Sequence, residues 1–115
     1  MRPKNQKTSR HKTPLRYPGG KQKLAPFILE VLEKNDLVGG EYAEPYAGGA
    51  GVAIELLLSG KVSKIHLNDS SRAVHCFWYS ILNHTEEFCQ RIIEAKMTVD
   101  EWRLHRVILA SPSRF

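Results

Sequence analysis

Two acidic residues and a run of glycines carry the most chemically suggestive spacing in this 115-residue chain. The run EPYAGGAG, Glu44 to Gly51, places Gly48, Gly49 and Gly51 between a short candidate strand and a helix. Glycines there permit a sharp turn and let another group approach the backbone without meeting a Cβ atom. The helix start that follows offers unpaired N–H groups, suited to an anionic or strongly polar ligand group. Asp69 stands 21 residues after Gly48, at the C-terminal end of a second candidate strand. From that place a carboxylate can accept hydrogen bonds from both hydroxyls of an adenosine ribose. Loop and acid together point to an adenosine-containing cofactor. Each has a plainer reading as well: glycines make turns for structural reasons alone, and Asp69 could cap a helix starting near Ser70.

The type of cofactor turns on Glu44, at the mouth of the loop. Its carboxylate would meet a pyrophosphate as a like charge. It suits S-adenosylmethionine, which bears an ammonium and a sulfonium, with the methionine carboxylate left to backbone donors. The alternative for Glu44 is a solvated acid at a strand end. The loop fits only the first half of G-x-G-x-x-G, since Gly49 and Gly51 are followed by Ile54, and no G-K-[ST] follows as a phosphate-binding loop would need. Two other functions stay open on these residues: a fragment of an NAD-dependent oxidoreductase, which Glu44 disfavours, and a non-catalytic module that binds S-adenosylmethionine or nucleic acid. No metal site is expected. Cys76 and Cys89 lack metal-ligand spacing and are expected to be buried free thiols, and His66, His75, His84 and His105 are scattered.

Short elements must position these groups. Leu24, Phe27, Ile28 and Val31 recur at helical spacing, with Pro26 near the helix start, and Gly39 and Gly40 separate that helix from a strand around Tyr42 to Glu44. Val52, Ala53, Leu56 and Leu57 line a face of a helix that Ser59 and Gly60 can end. Lys64 to Asp69 supplies the second strand, and Val74, Phe77, Trp78 and Ile81 another helix. Thr85 is expected to cap a helix carrying Phe88 and Ile92. Thr98 and Glu101 form a capping-box pattern ahead of Trp102, with Ser111 and Pro112 closing the segment. Strand, glycine loop, helix, strand, acid, helix is the order of a doubly wound nucleotide-binding half, an α/β fold. Two strands are fewer than a twisted parallel sheet needs, so an incomplete domain is expected.

Charge is distributed unevenly. The formal net charge is +5, yet residues 1 to 23 hold eight Lys or Arg and no acid, and the remainder holds nine against twelve acids. A basic arm of this kind attracts a phosphate backbone in a salt-dependent, sequence-blind way. No stretch nears the ~18 apolar residues of a membrane span, and the N-terminus lacks the apolar block of a signal peptide. A soluble, cytoplasmic protein with no membrane partner is expected.

With those residues in view, the chain resembles the Dam-like adenine-N6 DNA methyltransferases of restriction-modification systems, bacteriophages and bacterial housekeeping. The resemblance rests on RYPGGK at 16 to 21, EPYAGGAGVAIELL at 44 to 57 and LND at 67 to 69, in the family's order and spacing. It implies a Rossmann-like, S-adenosylmethionine-dependent methyltransferase fold, incomplete, with a helical C-terminal segment. The implied organisation is a flexible basic arm at 1–15, the cofactor-binding part at 16–84, and the helical start of a target-recognition region at 85–115. Tyr17 and Lys21 would belong to the N-terminal cofactor motif, Glu44, Tyr46, Gly48 and Gly49 to the main cofactor loop, and Asp69 to the ribose. Tyr17 could instead be a core aromatic, and Lys21 one more member of the basic patch. Double-stranded DNA is the implied partner, with Arg2, Lys4, Lys7, Arg10, Lys12 and Arg16 as candidate phosphate contacts. Ser70 and Ser71 depart from the pair that many relatives place after the ribose acid. The family's Asp/Asn-Pro-Pro-Tyr/Phe motif does not occur, for the chain has no Pro-Pro. An inactive, truncated fragment is therefore expected, its catalytic residues in a missing C-terminal half.

Overall fold

The computed structural model describes residues 12–17 and 19–111. They fall into two compact units divided between Ser70 and Ser71. The first opens with a single 3-10 turn, Gln22–Leu24, that runs into helix α1, Ala25–Lys34. Pro26 falls in the first helical turn, where its missing N–H costs no intrahelical bond. The helix closes in a Schellman pattern. Asp36 takes a left-handed φ of 55°, its N–H donates to Glu33 O at 3.3 Å, and Leu37 N–H donates to Leu32 O at 2.9 Å.

Strand β1, Glu41–Glu44, pairs in parallel with β2, Lys64–Leu67, placing Glu41 opposite Lys64 and Glu44 opposite Leu67. Parallel strands require a crossover, which helix α2, Gly51–Leu58, supplies. Ala25, Val52, Leu56 and Val62 form the centre of the core, and Ile28, Leu29, Leu32, Tyr42, Leu57 and Ile65 pack around them. Every second strand residue, Tyr42, Glu44, Ile65 and Leu67, is half-buried, as a sheet covered on one face demands. The α/β order and the parallel pairing agree with the sequence reading, with two strands among the described residues.

The apolar stripe of α1 is a correction. Leu24, Phe27 and Val31 are exposed, and Ala25, Ile28, Leu29 and Leu32 face the core. Both stripes follow i, i+3, i+7 spacing, so periodicity alone does not select the phase.

The second unit is helical, with α3 at Arg72–Asn83, α4 at Thr85–Glu94 and α5 at Val99–Ala110. Phe77 of α3 meets Phe88 of α4 edge-to-face, the ring centroids 5.5 Å apart. Thr98 caps α5 by accepting from Glu101 N–H at 3.2 Å, whereas the Glu101 carboxylate lies 3.5 Å from His105. Thr85 does not cap α4. It is the first helical residue, and its hydroxyl donates back to Ile81 O at 2.5 Å, because only His84 separates the two helices. Cys76 and Cys89 are free, as expected, but exposed rather than buried, since each lies off the packed side of its helix. No described helix is long and apolar enough to cross a membrane.

Candidate functional site

The two strands carry their pairing beyond their last residues, and this builds the site. Asn68 N–H donates to Glu44 O at 2.9 Å, and Ala47 N–H donates to Asn68 O at 2.8 Å. These bonds hold the segment after β2 beside the segment after β1. Asp69 is thereby carried to the glycine loop, where its Oδ2 accepts from Gly48 N–H at 2.9 Å. Helix α3 begins only at Arg72, with Ser71 as its N-cap residue and no side-chain cap bond. Asp69 therefore pins the segment after β2 to the glycine loop.

Glu44 is not a solvated strand-end acid. Its side chain is half-buried, and Oε1 accepts from Ala53 N–H at 3.0 Å. Ala53 is the third residue of α2, and the residue preceding that helix, Ala50, sits left-handed at φ 51° and offers no side-chain cap. A strand residue thus satisfies a helix N–H that would otherwise lack a partner. Burial raises the Glu44 carboxyl above its ordinary value, against the lowering effects of Ala53 N–H, the Tyr42 hydroxyl and the Lys21 charge. Burial and the neighbouring Glu44 push the Tyr42 hydroxyl from 10.0 to about 12.

The glycines have a structural cause that the sequence does not reveal. A Cβ on Gly48 would come within 2.9 Å of the Tyr17 ring, and one on Gly49 within 2.7 Å of Leu15 O. One on Gly51 would meet Gln22 at 3.0 Å, and Gln22 Oε1 is buried with no partner among the described residues. The space beside the loop is thus filled by Leu15, Tyr17 and Gln22 of the same chain. The Thr13 hydroxyl donates to Gly49 O, and Lys12 pairs with Glu55 of α2 at 2.8 Å. No local signal in the sequence points to these contacts. Gly48 and Gly49 by themselves signalled close approach, but not that the approaching group lay upstream.

The structure brings Tyr17, Gly48, Gly49 and Asp69 into one cluster, with Glu44 at its edge beside the start of α2. Tyr17 is 45% exposed, so it is a lid over Gly48 rather than a core aromatic. Lys21 is exposed and its charge acts on Glu44. Tyr46 is 76% exposed and lies at the rim. Arg16 is exposed and Lys12 is held in its ion pair, whereas Arg2, Lys4, Lys7 and Arg10 lie outside the described residues. Among the described residues no group of three metal-binding side chains occurs.

Two part-buried carboxylates at the C-terminal ends of parallel strands form a donor set hostile to a pyrophosphate. They suit hydroxyl groups and a cation, which fits S-adenosylmethionine. The family described as D12 class N6 adenine-specific DNA methyltransferase matches residues 17–105. No curated protein and no solved structure matches the chain.

Proposed function

The chain belongs to the D12 class of N6 adenine-specific DNA methyltransferases, and we propose that its own residues form the half of that enzyme which holds the methyl donor. The family's reaction moves a methyl group from S-adenosylmethionine to the exocyclic amine of adenine in DNA. Bound there, the cofactor supplies an electrophilic methyl on a sulfonium. Asp69 accepts from the ribose hydroxyls, and Glu44 faces the cationic part of the donor. Gly48 and Gly49 give it a backbone floor, with Tyr17, Lys21 and Tyr46 around the opening. The observation that carries this reading is the bond from Gly48 N–H to Asp69, which brings acid and loop together across 21 residues.

Adenine N6 is a poor nucleophile because its lone pair is shared with the ring. Transfer requires a flipped base, an acceptor for the amine protons and alignment with the methyl group. The chain has no Pro-Pro and no clustered histidines to serve as that acceptor, so in this reading a further stretch of the enzyme supplies it. Residues 16–84 belong to the donor site, 85–115 to the start of target recognition, and 1–15 to a basic arm. Arg2, Lys4, Lys7, Arg10 and Arg16 meet phosphates of double-stranded DNA, while Lys12 stays with Glu55. The setting is the cytoplasm, in restriction-modification, housekeeping or phage methylation.

Calorimetric titration with S-adenosylmethionine tests the donor site. Asp69→Asn can still accept from Gly48 N–H but loses the charge offered to the ribose. A hydrogen bond to a charged group contributes about 1.5–3 kcal/mol, so affinity should fall roughly ten- to a hundredfold. Asp69→Ala should lose as much affinity and also lower the melting temperature of the unliganded chain, because the pin is gone. Equal affinity in Asp69→Asn and the parent would sink the ribose assignment.

A further inference from the structure

We propose that Thr13, which lies before the RYPGGK segment, is a positioning residue for the glycine loop. Only the naming of that loop as a cofactor loop rests on the preceding reading. The loop is an unfavourable piece of backbone. Gly48 and Ala50 both have positive φ, 50° and 51°, and Ala50 carries a Cβ in that left-handed conformation. Something must hold it, and hydrogen bonds to its backbone do. Asp69 takes Gly48 N–H, and Ala50 N–H turns back to Ala47 O at 2.7 Å. A further handle is the carbonyl of Gly49, which belongs to the same peptide plane as Ala50 N–H. Thr13 donates its hydroxyl to that carbonyl.

The hydroxyl is itself fixed from both sides. It accepts from Leu15 N–H at 3.3 Å, and the preceding Lys12 is tied to Glu55 on α2 at 2.8 Å. A hydroxyl oriented by its acceptor role and flanked by an ion pair donates in one direction, so the Gly49–Ala50 plane cannot rotate without breaking it. Leu15 and Tyr17 then close over Gly49 and Gly48 at distances that admit no Cβ. Gly49 does not need glycine for its φ, which is not positive. The strap explains its lack of a side chain, since Leu15 O and Tyr17 Cβ occupy the space a Cβ would need.

The test combines amide hydrogen exchange over the loop with S-adenosylmethionine titration, on the full chain. Thr13→Val removes the hydroxyl at similar shape, and Thr13→Ser keeps it. A neutral hydrogen bond is worth on the order of a fivefold change in an equilibrium, so exchange at Ala50 should quicken about fivefold in Thr13→Val. Affinity should fall by a similar factor. Thr13→Ser should restore both, and amides of α1 and α5 should keep the parent's rates in every variant. Gly49→Ala should loosen the same amide by displacing Leu15. Combined with Thr13→Val it should add less than its separate effect, since both act through one strap. Unchanged exchange at Ala50 in Thr13→Val overturns the inference, as does uniform acceleration across the first unit or full additivity with Gly49→Ala. If the parent chain gives no binding heat, the cofactor reading falls, while the exchange arms still decide the role of Thr13.

Discussion

Glu44 and Tyr42 show how one side chain can serve structure and electrostatics together. Glu44 reaches from β1 to Ala53 N–H, and Tyr42, two residues earlier on the same sheet face, hydrogen-bonds to Glu44. Both acids titrate above their ordinary values, so the folded state keeps protons that the unfolded chain has already released. Stability therefore falls as pH rises through each such window. For Glu44 the fall begins at the ordinary carboxylate value and ends at the raised one. For Tyr42 it runs from 10.0 to about 12. Tyr42→Phe cannot ionise, so the parent's advantage in melting temperature over this variant should shrink between pH 9 and pH 11. Comparing the two at both pH values cancels the lysines and other tyrosines. An advantage of equal size at pH 9 and pH 11 contradicts the assignment.

At the scale of elements, the ends of helices are where this chain departs most from simple rules. Helix α2 is capped by a carboxylate from the preceding strand, and α1 ends with aspartate in a position that favours glycine. Asp36 is exposed, and its left-handed φ of 55° places its Cβ against the following carbonyl. Asp36→Gly should relieve that contact while keeping both Schellman bonds. Part of the gain is offset by the greater freedom of glycine in the unfolded chain, leaving about 0.5–1 kcal/mol. A thermal melt should show a midpoint several degrees higher. A lower midpoint would mean that the Asp36 side chain contributes more than its backbone strain costs.

For the whole molecule, charge is the property with the longest reach. The N-terminal 23 residues hold eight basic groups and no acid, and the structure ties Lys12 to Glu55. If the arm meets DNA phosphates, deleting residues 1–11 removes Arg2, Lys4, Lys7 and Arg10 from the interface. Each phosphate contact contributes about 0.9 to the slope of log affinity against log salt, so the slope should flatten by as much as ~3.6. Binding isotherms on a duplex at several salt concentrations read this directly. A slope that survives the deletion would show that the arm does not touch DNA.

The order of elements, the parallel crossover and the meeting of Glu44, the glycines and Asp69 at one end of the sheet were legible in the sequence. They follow from local signals, namely apolar periodicity, glycine punctuation and the position of an acid after a strand, and local signals survive folding. Which stripe of α1 faces inward was not legible, because Leu24, Phe27 and Val31 repeat as well as Ala25, Ile28 and Leu32 do. Only packing against Val52 and Leu56 decides between them. Nor could the sequence tell what Gly48 and Gly49 make room for. A glycine signals a close approach but does not name the approaching group, and here that group is Leu15 and Tyr17, more than 30 residues upstream. Asp69 shows the same division: its spacing placed it at the loop, and only the tertiary structure showed that it grips Gly48 N–H there.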